Sequence, residues 1–194
     1  TRVTASQPLA VLALASGSGT LVQSILDHAG DDYRVVGLIA DRDCPAIERA
    51  RRVGVPARVV ELGGDRDEWN ERLGAAIDEA GADLVVSAGF MRVIGPALVE
   101  RLRGRLINTH PALLPSYPGA HAVRDALADG ATVTGTTVHH VDAGVDTGAV
   151  IAQRVVPVEP GDDEATLHER IKKAERALIV EVIRAWPRPG RGEN

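Results

Sequence analysis

The 194-residue sequence contains one cysteine, Cys44, and aromatic residues make up only 3% of the chain. One cysteine excludes an intramolecular disulfide and any metal site built from several cysteines. His139 and His140 are adjacent on a predicted strand and face opposite sides, so they cannot share an ion. No apolar run approaches the roughly 20 residues that span a bilayer. We therefore expect a soluble globular protein without a bound metal, packed mainly from Val, Leu, Ile and Ala.

Positive charge is also scarce, because 22 Lys and Arg residues against 27 Asp and Glu give a net charge of −5 at pH 7. The basic residues are scattered, which disfavours a nucleic-acid-binding surface. Residues 1–7 lack the charged and then apolar layout of a signal peptide. We expect a cytoplasmic protein that binds neither nucleic acid nor membranes.

The length suits one domain, residues 1–194. Apolar runs such as Leu9–Ala15 are typical of strands buried on both faces, and they alternate with helical patterns, the clearest at 65–80. This rhythm favours a single α/β, Rossmann-like domain with a mostly parallel central sheet flanked by helices. The remaining elements are two β-rich segments at 132–141 and 149–158, which we expect to extend the sheet, with antiparallel pairing as one option, and a long terminal helix from Asp162 or Asp163 to about Trp186.

Three polar segments, 16–20, 89–92 and 108–111, are predicted to follow buried strands, where ligands bind in such sheets. The first is a Gly-rich turn that opens a helix, and free N–H groups there suit a phosphate. A plain tight turn and a dinucleotide site are the alternatives. A dinucleotide fingerprint would need glycine where Val22 stands, although Asp41 occupies about the position of a ribose-binding acid. We interpret Asp41 as part of a solvent-exposed turn, so that Asp41→Ala should change little.

Asn108 and His110 form the strongest chemical pattern in the sequence. One residue apart at the end of a predicted strand, they point the same way, and Pro111 favours an extended His110. An amide beside an imidazole can stabilise a carbonyl oxygen that gains negative charge; a purely structural histidine is the alternative. If Asp142 or Asp146 folds onto His110, it favours the imidazolium, but the spacing leaves open which one does.

Four segments carry a family resemblance in their order along the chain: Ser16–Gly19, Ala88–Arg92, Asn108–Gly119 and Asp142–Gly148. They resemble the glycinamide ribonucleotide formyltransferases, and the similarity runs from about residue 9 to residue 186. The His-Pro-x-Leu-Leu-Pro block within the third segment is shared by formyl-tetrahydrofolate enzymes in general. The Gly-rich turn and the single-domain length favour this member.

The resemblance implies transfer of a formyl group from 10-formyltetrahydrofolate to the glycyl amine of glycinamide ribonucleotide in purine biosynthesis, by direct attack through a tetrahedral intermediate. It implies that Asn108, His110 and Asp146 are catalytic, which selects Asp146 over Asp142. The implied phosphate and ribose site consists of Gly17, Ser18, Gly19, Thr20, Leu21, Lys172 and Glu175. The implied folate site consists of Met91, Arg92, Val93, Ile94, Asn108, Ala143, Gly144, Val145 and Asp146.

Some positions depart from the family pattern without touching the implied catalytic trio. Thr20 and Leu21 stand where many relatives have Ser-Asn, Thr147 replaces a common glycine, and Lys172 is Gln in some relatives. Two other functions remain as alternatives: a formyltetrahydrofolate deformylase, with water as acceptor, and a non-catalytic nucleotide-binding module. The oligomeric state is open, and residues 95–105 are one candidate contact for a homodimer.

Overall fold

A computed structural model of the chain describes residues 7–188. Residues 1–6, on which the signal-peptide expectation depends, and residues 189–194 lie outside the described part of the predicted domain. The strands are β1 (Leu9–Ala15), β2 (Tyr33–Ala40), β3 (Ala57–Val59), β4 (Leu84–Ser87), β5 (Leu106–His110), β6 (Val133–His140) and β7 (Val150–Pro157). The helices are α1 (Thr20–Asp27), α2 (Pro45–Arg52), α3 (Arg66–Ala80), α4 (Pro96–Arg101), α5 (Ala122–Ala128) and α6 (Glu164–Ala185).

All seven strands belong to one sheet in the order β3-β2-β1-β4-β5-β6-β7. Strands β1 to β5 pair in parallel, whereas β6 is antiparallel to β5 and β7 is antiparallel to β6. The strand order reverses between β1 and β4, so a crevice opens at their carboxyl ends. The predicted fold class is confirmed, and the two β-rich segments extend the sheet in antiparallel pairing.

The core forms two layers, one on each face of the sheet, and every residue of β1 is buried. Because successive side chains of a strand point to opposite faces, Val11 and Ala13 pack with the helices α1, α2 and α6. Leu12 and Leu14 pack with α3 and α4 on the other face. Within residues 7–188, no helix is both long and apolar enough to cross a membrane.

Helix α3 holds both ends of the segment that leads from β4 to α4. Trp69 is fully buried, and its Nε1 donates a hydrogen bond to the Val60 carbonyl at 2.9 Å. The ring stacks on Phe90 with 6.2 Å between centroids. At the other end, Gly95 N donates to Asn70 Oδ1 at 2.7 Å. The segment is therefore anchored to the core at two points.

Helix α6 begins with a capping box that fixes its position. The Asp163 side chain accepts from Thr166 N, and the Thr166 hydroxyl accepts from Asp163 N. Asp163 is thus the cap, and Asp162 instead forms an ion pair with Arg170 that holds the pKa of Asp162 far below its ordinary range. The helix ends at Ala185, one residue before the predicted end.

Candidate active site

Two adjoining cavities, of about 540 Å³ and about 160 Å³, lie at the carboxyl ends of β1, β4 and β5. Every site residue named from the sequence lines at least one of them. Ile94, Ala143 and Gly144 line only the smaller cavity, and the implied phosphate and ribose residues all line the larger one. The wall that both cavities share consists of Phe90, Arg92, Val93, Asn108, Val145 and Asp146.

The Gly-rich turn after β1 leads directly into α1 at the larger cavity. Gly19 is the N-cap residue with φ 75°, and no side chain caps the helix. The first intrahelical bond runs from Gln23 N to Gly19 O, so the preceding amides have no partner within the helix. A Cβ on Gly19 would lie 2.7 Å from Ala46 Cα, which makes glycine necessary where α1 and α2 approach. The turn leaves backbone donors available to an anion.

Asn108 lies near the end of β5, directly opposite His139 of β6 in the antiparallel register. It is half-buried and faces both cavities. Within residues 7–188, its side-chain amide has no hydrogen-bond partner. The amide is therefore available to donate to a ligand at the shared wall.

The His110 ring is buried and held from both sides. Its Nε2 lies 2.8 Å from the Tyr117 carbonyl, which can only accept, so Nε2 carries a proton. Its Nδ1 lies 3.5 Å from Asp146 Oδ2. Nδ1 thus faces a carboxylate, while a backbone carbonyl holds Nε2. The backbone carbonyl of Tyr117, which sequence reasoning missed, sets the ring orientation.

Asp146, and not Asp142, is the carboxylate that folds onto His110. Asp146 adopts a left-handed backbone with φ 54°, and its Oδ2 accepts from Gly119 N at 2.8 Å. Asp142 instead accepts from Thr147 Oγ1 at 2.6 Å within its own loop. A non-glycine residue in this conformation costs free energy and is typical of functional sites.

His139 is a second histidine at Asp146 that the sequence interpretation missed. It is 2% exposed, its Nδ1 donates to the His140 carbonyl at 2.9 Å, and its Nε2 lies 3.7 Å from Asp146 Oδ1. His140 points the other way, against Trp186, so the two histidines do face opposite sides. The register with Asn108 places His139 at the site, a long-range signal that local spacing does not contain. Within residues 7–188, no group of three or more His, Cys, Asp or Glu is arranged to hold a metal ion.

Comparison with known proteins decides the family. The Formyl transferase family model matches residues 9–183. The chain belongs to the formyl transferase family. Phosphoribosylglycinamide formyltransferase of Mycobacterium tuberculosis is 53% identical over 188 residues, covering 95% of this chain and 87% of that protein. The trifunctional purine biosynthetic protein adenosine-3 of Homo sapiens is 38% identical over 87% of this chain, which spans 17% of that protein.

Solved structures agree with this family assignment. Glycinamide ribonucleotide transformylase 1 from Symbiobacterium toebii superposes with a TM-score of 0.88 at 40% identity, covering 92% of this chain and 87% of that chain. A phosphoribosylglycinamide formyltransferase from Streptococcus pneumoniae gives a TM-score of 0.85 at 37% identity, covering 91% and 98%. The resemblance predicted from the four sequence segments is confirmed.

Helix α6 brings Lys172 and Glu175 of this formyl transferase to the larger cavity. Thr109 Oγ1 donates to Glu175 Oε1 at 2.6 Å. Burial raises the pKa of Glu175, although the bond from Thr109 and the charges of His110 and Lys172 act in the opposite direction. The site therefore holds a carboxyl group that is costly to ionise.

The structure contradicts the interpretation of Asp41 as a solvent-exposed residue. Asp41 is 3% exposed, and its Oδ2 accepts from Arg92 Nε at 2.7 Å and from Arg42 at 3.1 Å. Burial alone would raise the pKa of Asp41, but hydrogen bonds from Arg42, Ser16 and Arg92 hold it below 3.8. Sequence reasoning missed this because Arg92 is distant in the chain. Asp41 ties the segment after β4 to the end of β2.

Three exposed apolar side chains lie at the rim of the cavities. Met91, Val93 and Val145 are 73%, 70% and 64% exposed. Val93 and Val145 line both cavities, and Met91 lines the larger one only. Three exposed apolar side chains at a cavity mouth are the pattern expected where a flat, partly apolar ligand binds.

Asp41→Asn should destabilise the protein at pH 7, because Arg92 and Arg42 would lose a buried charged partner. Since the pKa of Asp41 is lowered in the folded state, its contribution is present above about pH 4 and is lost as the pH falls through the lower folded pKa. Urea unfolding of both proteins from pH 7 to pH 3 measures this difference. Asp43→Asn, in the same turn but exposed, is the control and should behave like the wild type.

Glu175→Gln should gain stability relative to the wild type as the pH rises. A raised pKa means that the folded state binds more protons than the unfolded state above about pH 4.5, so wild-type stability falls with pH in that range. Glutamine can still accept from Thr109 and cannot ionise. Urea unfolding between pH 4 and pH 8 checks this, with the exposed Glu71→Gln as control. A difference that does not change with pH would contradict it.

Proposed function

We propose that this formyl transferase moves the formyl group of 10-formyltetrahydrofolate to the glycyl amine of glycinamide ribonucleotide. The observation that carries the proposal is the meeting of Asn108, His110 and Asp146 where two cavities adjoin. A reaction between two substrates needs such a place, with hydrogen-bond donors aimed at the reacting carbonyl. The names of the relatives from Mycobacterium tuberculosis and Symbiobacterium toebii support the same substrates.

The larger cavity suits the ribonucleotide. The amides of residues 17–21 at the start of α1 bind the phosphate, and Lys172, which has no ion-pair partner within residues 7–188, supplies a positive charge. Glu175 lies one helical turn further along α6 and accepts from the ribose hydroxyl groups. This places the glycyl amine towards Asn108 and His110.

The smaller cavity suits the ring system of the folate. Ile94 and the loop residues Ala143 and Gly144 line it, and the exposed Val93 and Val145 stand at the wall shared with the larger cavity. A bound ring would cover these apolar side chains. The formyl-bearing nitrogen would then lie at the shared wall, beside Asn108.

The residues of this chain hold the substrates and stabilise developing charge. The neutral amine nitrogen attacks the formyl carbon and forms a new C–N bond, and the formyl oxygen becomes an oxyanion. The Asn108 amide and the His110 imidazole donate to that oxygen, each contributing about 3 kcal/mol. Holding both substrates in line contributes up to about 7–11 kcal/mol in favourable cases.

Asp146 transfers the proton that the attacking amine loses. It orients His110 through Nδ1 and, directly or through one water, carries a proton from the attacking amine to N10 of the folate. The C–N10 bond then breaks, which yields the formylated ribonucleotide and tetrahydrofolate. No bond to the enzyme forms at any step.

A homodimer through residues 95–105 and a cytoplasmic location stay predictions. The apolar side chains of this segment, Leu98, Val99 and Leu102, are buried in the protein's own core. Its outer face carries Glu100 and Arg103, which pair with each other at 3.4 Å. A contact through this segment would therefore be polar.

Turnover of 10-formyltetrahydrofolate, followed by folate absorbance, should require glycinamide ribonucleotide. We expect tetrahydrofolate to form only when the amine substrate is present, because the proposed reaction uses the glycyl amine as its nucleophile. Equal turnover without the ribonucleotide would indicate a deformylase. Absence of turnover in both reactions, with ribonucleotide binding retained, would indicate a nucleotide-binding module.

His110→Ala should lower kcat by about 10²–10³-fold, the loss typical of one oxyanion donor. Ribonucleotide binding should remain measurable by calorimetry, because the phosphate contacts lie on α1 and α6. His28→Ala, exposed at the end of α1 and outside both cavities, is the control for a histidine replacement and should keep wild-type kcat. Wild-type turnover by His110→Ala would exclude the proposed mechanism.

A further inference from the structure

Helix α6 places one more ionisable side chain in the larger cavity, and the proposed chemistry does not use it. His168 is half-buried and lies four residues before Lys172, so the two side chains are neighbours on one face of the helix. Both line the cavity together with the Gly-rich turn at the start of α1. Helices α1 and α6 pack against each other, which brings this face of α6 to the turn.

No partner within the described part of the chain explains the position of His168. Within residues 7–188, neither of its ring nitrogens forms a hydrogen bond, and the Lys172 ammonium group forms no ion pair. Arg176, the next basic residue on the same face, is already engaged by Glu169 at 3.3 Å and by the Lys172 carbonyl at 3.2 Å. Among the described residues, His168 and Lys172 are therefore the two basic side chains of α6 that line the cavity without a partner in the protein.

The free protein disfavours a charge on His168. Burial, and then the positive charge of Lys172, lower the pKa of His168 below 6.5, while Glu164 and Glu169 act weakly in the opposite direction. The ring is therefore neutral at pH 7 before a ligand binds. A phosphomonoester carries about −1.5 to −2 charges at pH 7, which would reverse this balance.

Charged groups on other elements of the protein do not supply the negative charge that would favour a protonated His168. Across the cavity, His110, Arg92 and Asp146 line the wall at β4 and β5, and Arg92 is engaged by Asp41. Helix α5, which packs on α6, carries Arg124 and Asp125, and these pair with each other.

Three further neighbours of α6 place no opposite charge at His168. On β6, His139 faces Asp146 and His140 contacts Trp186. The first turn of α1 has no acidic residue. On β7, Arg154 forms an ion pair with Glu181, several turns away along α6. The charges that act on His168 in the free protein all belong to α6.

We propose that His168 is a second cationic ligand of the ribonucleotide phosphate and takes up a proton from solvent when the phosphate binds. This inference rests on the proposed function, because it assumes that the phosphate occupies the turn at α1. The neutral ring becomes an imidazolium that donates to a phosphate oxygen, and no covalent bond changes. His168 thereby makes substrate binding sensitive to pH near neutrality.

The expected pH dependence has a definite sign. Phosphate binding should tighten as the pH falls from 8 to 6.5, because protonation of His168 then costs less free energy. Below about pH 6 the phosphate itself takes up a proton, and the affinity should stop increasing. The informative quantity is therefore the difference between the wild type and a variant without the imidazole.

Calorimetry with ribose 5-phosphate, which lacks the reactive amine, tests the proposal. The wild type, His168→Gln and the control His28→Gln are titrated at pH 6.5 and pH 8.0, in two buffers of different ionisation enthalpy. At pH 6.5 we expect the wild type to bind roughly tenfold tighter than His168→Gln, the effect of one charge-assisted hydrogen bond. At pH 8.0 the difference in affinity between the wild type and His168→Gln should be smaller. Proton uptake on binding should be absent from His168→Gln and retained in the wild type and His28→Gln. Thermal unfolding confirms that each variant is folded.

Lys172→Met separates failure of this proposal from failure of the proposed function. If Lys172→Met weakens binding at both pH values while His168→Gln matches the wild type in affinity and proton uptake, the role of His168 is wrong and the phosphate site stands. If ribose 5-phosphate does not bind the wild type, or binds Lys172→Met equally well, the assigned phosphate site is wrong and the role of His168 is wrong with it, whereas the turnover reaction tests formyl transfer itself. Lys173→Met, exposed on the neighbouring face, controls for the loss of a lysine.

Discussion

The antiparallel pairing of β5 with β6 is the constraint on which the site depends. It sets Asn108 opposite His139 and ends β6 beside Ile107, so the loop after β6 starts near the amino end of β5 and folds back along the strand to bring Asp146 to His110. The change from parallel to antiparallel pairing therefore assembles side chains from three separate segments.

The site draws on both faces of the sheet. Asn108 and His110 alternate with Thr109 along β5, so Thr109 points to the α6 layer and binds Glu175 there. The groups assigned to the ribonucleotide thus come from the α1 and α6 layer, and the groups assigned to the chemistry come from the opposite side. The larger cavity passes around the end of β5, where Asn108, Thr109 and His110 all line it.

Local patterns in the sequence were sufficient for the elements and for Asn108 and His110, whereas most of the lining followed from the family resemblance. The continuous apolar run of β1 has the predicted bounds, and the carboxylate cap of α6 lies at one of the two predicted residues. Contacts between distant segments were not accessible in this way. The burial of Asp41 depends on Arg92, the place of His139 depends on the register of two strands, and the Tyr117 carbonyl belongs to an irregular loop. The side-chain periodicity of a single segment does not predict such contacts between distant segments.

The shared wall of the two cavities has a thermodynamic consequence. A ligand in one cavity removes water from Asn108, Val93 and Val145, which also face the other cavity. The second ligand then meets a drier and more ordered surface than the first did. Each substrate should therefore raise the affinity for the other by the same factor, whichever binds first, because coupling free energies between sites are reciprocal.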